Sequence, residues 1–134
     1  MTQFITSKPV VLLVDDNEQT SSVIQEMLEL MDFDVEVASD GSIAVEMTGA
    51  KAYAVVLMDV EMPVMDGLAA TTAIRSHELA ELMPPVPIVG ITGHTDTGTR
   101  MLCQRAGMTD VMLKPFAMSK LEEKLKLLCG QRLN

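Results

Sequence analysis

Asp15 and Asp16, Asp59, Thr92 and Lys114 share one feature of placement: each follows a short, almost wholly apolar run, over residues 9–14, 53–58, 86–91 and 111–113 in turn. Three carboxylates, a hydroxyl and an ammonium make a pointed chemical set. Carboxylates crowded together resist joint ionisation, so such a cluster calls for a cation. Hard oxygen donors select Mg²⁺, which keeps several waters and bridges to phosphate oxygens. A carboxylate can also attack phosphorus and become an aspartyl-phosphate. Thr92 and Lys114 would then bind the remaining phosphoryl oxygens, one as a hydroxyl donor and one as a point charge. Each residue has a plainer role when taken singly. Asp59 can begin a turn, Asp15 and Asp16 can cap a helix, Thr92 can belong to turn chemistry and Lys114 can be a solvated cation. Their recurrence at four run ends is what the plainer roles leave unexplained.

Apolar runs of this length, bounded by turn signals, read as buried strands, although periodicity alone does not exclude a short buried helix. Between them the spacing predicts helices. Asn17 or a neighbour caps the first, in which Val23, Ile24, Met27, Leu28 and Met31 recur at helical spacing. Residues 34–38 alternate as an edge strand does. Asp40-Gly41-Ser42 then turns into a second helix with Ile43, Ala44 and Met47 on its buried face and Gly49 at its end. A third helix covers residues 67–82, stopped by Pro84, Pro85 and Pro87. Residues 95–106 form a weaker fourth, with Gly98 in its first turns, a thin apolar face and Gly107 closing it. The last covers residues 118–129, with Leu121, Leu125 and Leu128 inward and Glu122 and Lys126 as an exposed i,i+4 pair. Five strands alternating with five helices predict an α/β, doubly wound parallel sheet covered on both faces by right-handed crossovers. In such a sheet all carboxyl ends share one edge, so the five residues converge on one crevice.

The composition is consistent with this and narrows the partners. At 134 residues, the chain is long enough for one domain, residues 1–134 with a core over about 9–128. Aromatics are 3% with no Trp, so the core is aliphatic, filled out by 12 Met. A net charge of −9 with no basic stripe argues against nucleic acid. The two cysteines, Cys103 and Cys129, lack the number and spacing of a metal or disulfide framework and read as free thiols in a reducing compartment. Residues 2–8 are polar and mixed, unlike a signal peptide, and no apolar run approaches the roughly 20 residues that span a bilayer. The expectation is a cytoplasmic protein with no membrane insertion by this segment.

Four motifs carry a family resemblance. Val14-Asp15-Asp16-Asn17, the segment from Met58-Asp59-Val60-Glu61-Met62-Pro63 through Asp66-Gly67, Ile91-Thr92-Gly93, and Leu113-Lys114-Pro115-Phe116 together resemble the receiver (response regulator) domain of two-component phosphorelay signalling. The similarity runs over residues 9–128, and four motifs in order make it specific. The resemblance implies the flavodoxin-like strand order 2-1-3-4-5, and phosphoryl transfer onto Asp59 from a phosphohistidine on a histidine kinase or histidine phosphotransfer domain. It implies Mg²⁺ held by Asp16, Asp59 and the backbone carbonyl of Glu61, with Asp15 assisting, directly or through water. It also implies Lys114 beside the phosphoryl group across a cis bond to Pro115, Thr92 as the switch hydroxyl, and Met62-Pro63 with Gly67 shaping the loop above. A homodimer is compatible with the family. Such a domain is not an enzyme beyond its own phosphotransfer and autodephosphorylation. Phosphorylation would draw Thr92 inward and shift residues 93–106. The chain departs from the family where Val111 stands in place of a frequent aromatic three residues before the lysine, and Glu61 and His94 flank the phosphoryl position. Two rivals remain: a phosphatase working through an aspartyl-phosphate, with Glu61 as a partial mimic of its second carboxylate, and a pseudo-receiver that only binds partners. A stand-alone regulator and the receiver of a hybrid histidine kinase both fit, with the motifs nearer the second.

Overall fold

The computed structural model describes residues 8–62, 65–94 and 96–129. Its elements alternate throughout: β1 (Val10–Val14), α1 (Glu18–Leu30), β2 (Asp34–Ala38), α2 (Gly41–Ala50), β3 (Val55–Asp59), α3 (Gly67–Ala80), β4 (Ile88–Thr92), α4 (Thr97–Ala106), β5 (Asp110–Leu113) and α5 (Met118–Cys129). The strands form one parallel sheet in the order β2-β1-β3-β4-β5. This is the architecture and the strand order expected from the sequence.

Side chains of successive strand residues point to opposite faces, and the core divides accordingly. Val11 and Leu13 lie under α1 and α5 with Ile24, Leu28, Leu121 and Leu125. Leu12 and Val14 lie on the other face with Ala44 of α2, Ala70 and Ile74 of α3 and Cys103 of α4. Burial on both faces makes β3 and β4 buried at all five positions, as interior strands of parallel sheets are. The edge strand β2 is buried only at Ala38. Cys103 and Cys129 are both buried and lie on opposite faces, which keeps the thiols apart. No helix among the described residues is long and apolar enough to cross a membrane.

Four helices start on an Asn or Asp whose side chain accepts a backbone N–H three residues on: Asn17, Asp40, Asp66 and Asp96. Three close through a left-handed residue, Asp32 (φ 69°) after α1, Leu82 (φ 54°) after α3 and Gly107 (φ 106°) after α4. In each, the N–H of the following residue reaches five residues back: Phe33 to Leu28 O, Met83 to Glu78 O and Met108 to Cys103 O.

Several expectations are corrected. β3 begins at Val55 rather than at residue 53: Tyr53 and Ala54 are buried but precede the paired strand. β4 begins at Ile88 and extends to Thr92, not over 86–91. Gly49, expected at the end of α2, is its penultimate residue, one before Ala50, and its missing side chain admits α3: a Cβ there would stand 3.3 Å from His77 Nε2. Val23 and Ile43, expected inward, are exposed, because the buried stripes of their helices pass through Ser21, Ile24 and Leu28 and through Gly41, Ala44 and Thr48. On α5, Leu128 is half-buried and the described intrahelical ion pair is Lys120–Glu123 rather than Glu122–Lys126. Pro63, Val64 and Thr95, parts of the expected loop and fourth helix, lie outside the described residues.

Candidate functional site

Parallel pairing places the site. Val14 is in register with Met58, Asp59 with Ile91, and Thr92 with Leu113. Ladder bonds continue beyond the strands: Asp15 N–H donates to Ala38 O, Val60 N–H to Ile91 O and Lys114 N–H to Thr92 O. Asp15, Asp59, Thr92 and Lys114 are thereby fixed along one carboxyl edge, as the run ends predicted.

Asp15 and Asp59 are buried at 6% and 4% exposure, and Asp16 is exposed. One carboxylate oxygen from each of the three lies within 4.8 Å of the others. That is a donor set for a small hard cation, made of the three acids the sequence singled out. Lys114 Nζ stands 3.4 Å from Asp59 Oδ1, and the Lys114–Pro115 bond is cis. Burial pushes the Asp59 carboxyl up to about 6; Lys114 pulls it down and the nearby Asp15 charge adds to the rise. Asp59 is thus an acid held out of water between one cation and other acids.

The plainer turn roles are also realised. Asn17 N–H donates to Asp15 Oδ1 at 2.8 Å, and Glu61 N–H donates to Asp59 Oδ1 at 3.1 Å. The helix cap itself falls to Asn17, which frees Asp16. Beyond Asp59 the chain returns through Gly67, whose N–H donates to Val60 O at 3.1 Å. A side chain on Gly67 would collide with the Asp59 carbonyl, so the loop closes tightly against the end of β3 only with glycine there.

Thr92 is placed on the site edge but does not point its hydroxyl at Asp59. It is fully buried, donates to Glu61 Oε2 at 2.6 Å and accepts from His94 N–H at 3.1 Å. Gly93 N–H adds a longer contact to Glu61 Oε1 at 3.4 Å. The Glu61 side chain, expected to matter mainly through its backbone, is therefore part of the site. Its position two residues past Asp59 was the available signal. Glu61 also adds to the effect of burial in raising the Cys103 thiol, which brings α4 within its field. Val111 is half-buried against the second core cluster.

Comparisons with known proteins agree with this geometry. The family described as "Response regulator receiver domain" matches residues 11–126. The sensor protein GacS of Pseudomonas syringae pv. syringae is 37% identical over 115 residues, 86% of this chain, which spans only 13% of that protein's length. The receiver domain of the sensor histidine kinase PA1611 of Pseudomonas aeruginosa PAO1, whose crystal structure has magnesium in the active site cleft, is 36% identical; it superposes with a TM-score of 0.83 over 92% of this chain and 98% of that one. The Saccharomyces cerevisiae Ssk1 receiver, co-crystallised with the histidine phosphotransfer protein Ypd1, is 22% identical with a TM-score of 0.88 over 98% and 95% of the two chains, a likeness of fold. With the strand order, the edge-clustered acids and the matched span all in agreement, the chain belongs to the response regulator receiver domain family.

Proposed function

We propose that this chain accepts a phosphoryl group on Asp59 and transmits the event as a change of shape, with residues 9–128 working as one unit. The observation that carries the reading is the buried Asp59 carboxylate, within 4.8 Å of oxygens of Asp15 and Asp16 and 3.4 Å from Lys114 Nζ. An Asp59 oxygen attacks the phosphorus of a partner's phosphohistidine. The phosphorus–nitrogen bond breaks, the imidazole leaves with the electron pair and takes up a proton, and an acyl phosphate forms. Lys114 offsets the added charge.

Mg²⁺ fits the donors present. Asp15, Asp16 and Asp59 supply hard oxygens, and the Glu61 backbone carbonyl would complete the set. The magnesium in the PA1611 receiver supports the same assignment. When bound, the ion supplies neutralisation of the phosphoryl charge.

The phosphoryl donor is a histidine kinase or histidine phosphotransfer domain, as Ssk1 with Ypd1 and the kinase relatives suggest. An apolar groove formed by Val23, Ile24, Met27, Pro115 and Phe116 runs up to Lys114 and Gly93. It adjoins the site and suits a helical surface that presents a phosphohistidine. Val23→Glu should slow transfer from a protein donor by at least several-fold and leave transfer from acetyl phosphate unchanged. Equal loss with both donors would remove the groove from docking.

On the output side, α4 is the mobile element. Cys103 is the buried residue of its ten, and α4 follows directly on Thr92 and Gly93. The domain is not a turnover enzyme; it resets by hydrolysis of its own acyl phosphate, in a cytoplasmic setting. The direct test is labelling from a radioactive phosphohistidine donor with Mg²⁺. Wild type should take up at most one hydroxylamine-sensitive phosphoryl group, and Asp59→Asn none. Label on Asp59→Asn would refute the acceptor, and sustained release of phosphate from phosphomonoesters would favour a phosphatase.

A further inference from the structure

A buried hydroxyl has to find partners, and Thr92 is at 0% exposure. Its donor bond goes to Glu61 Oε2 at 2.6 Å, a distance typical of a hydroxyl on an ionised carboxylate. The other oxygen of the same carboxylate faces Gly93 N–H at 3.4 Å. Glu61 therefore lies across a hydroxyl and the next backbone N–H at the end of β4, a donor pair suited to any oxyanion. The reach is short: β3 and β4 are neighbours, Asp59 is in register with Ile91, and Glu61 is two residues beyond Asp59. Glu61 itself is on the exposed rim of the site. It can leave for water without a large desolvation penalty.

We propose that the Glu61 carboxylate is a resident anion that occupies the Thr92 and Gly93 donors in the unphosphorylated protein and must release them before they turn to a phosphoryl group on Asp59. The inference rests on the phosphoacceptor reading and deepens it. Glu61 is a positioning residue: it touches Thr92 and not the reacting atoms. Its contact makes the resting position of Thr92 an actively held one, so an incoming anion competes against a bond of similar kind. The resting equilibrium is set at the site rather than only in α4.

Fluoroberyllate with Mg²⁺ serves as the phosphoryl probe, with affinity measured by calorimetry and the Gly93 amide followed by NMR. Glu61→Ala should tighten fluoroberyllate binding roughly tenfold, the factor of one lost charge-assisted bond. Glu61→Gln should give a smaller gain. In a Thr92→Val background the gain from Glu61→Ala should largely disappear, because no hydroxyl is left to release. The Gly93 amide of anion-free Glu61→Ala should also move from its wild-type position. An equal gain in both backgrounds would reduce the effect to simple charge repulsion and overturn the inference, as would no gain at all. A wild-type protein that binds no fluoroberyllate would instead sink the phosphoacceptor reading, and the resident-anion role with it.

Discussion

Asp59 has two properties that pull against each other, and both come from where β3 ends. Burial at 4% exposure places a nucleophile out of water, and the same burial lifts its carboxyl to about 6. An unfolded aspartate titrates near ~3.9, so the folded protein binds a proton more tightly than the unfolded chain between these values. The stability contributed by protonated Asp59 is full below the unfolded value and is lost as pH rises through about 6. In metal-free buffer, Asp59→Asn should therefore stabilise the fold more near neutral pH than near pH 5, by roughly 1–2 kcal/mol. Denaturant midpoints of both proteins across that range check this, and a pH-independent difference would contradict the buried-acid account. The residues that meet at the site were legible as acids, a hydroxyl and a lysine at the ends of apolar runs, because parallel strands bring run ends to one edge. The Glu61–Thr92 bond was not. Strand periodicity fixes where a backbone emerges, and says nothing of which rim carboxylate folds onto which hydroxyl.

Helix closure shows the same division at the scale of elements. Gly107 was readable as a terminator, because glycine takes φ near 106° without steric cost. Leu82 was not, although it closes α3 with the same hydrogen-bond pattern at φ 54° and 92% exposure. A left-handed leucine is strained by roughly 1–2 kcal/mol, part of which glycine returns as unfolded-state entropy. Leu82→Gly should accordingly stabilise the protein by about 0.5–1 kcal/mol. Gly107→Ala should destabilise it by more than about 1 kcal/mol, since an added Cβ also meets Arg75 Cγ at 2.8 Å. Urea midpoints of the two variants should move in opposite directions. A destabilised Leu82→Gly would mean that the leucine side chain contributes packing that its exposure hides. Where the reading of elements slipped, hydrophobicity was taken for orientation or for pairing. Val23 and Ile43 are apolar and exposed, Tyr53 and Ala54 are buried but lead into β3 rather than belonging to it, and Gly49 is the penultimate residue of α2, where His77 of α3 comes close.

At the scale of the whole molecule, the sheet holds carboxylates together that would separate if the chain unfolded. The network from Arg75 to Glu78, to the Gly107 carbonyl and, through Glu78, to Val86 N–H ties α3 to the end of α4 and the approach to β4. That network lies at the amino ends of β4 and β5, on the opposite edge of the sheet from the clustered acids. With a net charge of −9 and three of its acids at one edge, the folded state gains from any cation that binds there and not to the unfolded chain. Such a ligand stabilises by RT ln(1 + [L]/Kd), about 2.7 kcal/mol at a concentration one hundred times Kd. For a domain of this size that corresponds to a rise in melting temperature of roughly 8–10 °C. Mg²⁺ should produce this rise in wild type, with saturation at a single site. Asp16→Asn and Asp59→Asn should each lose most of it, whereas Asp34→Asn, at the far end of β2, should keep it. A shift of equal size in all four proteins, or one that grows with ionic strength when Na⁺ replaces Mg²⁺, would mean that charge screening over the whole surface, and not a bound ion at the Asp15, Asp16 and Asp59 edge, stabilises the fold.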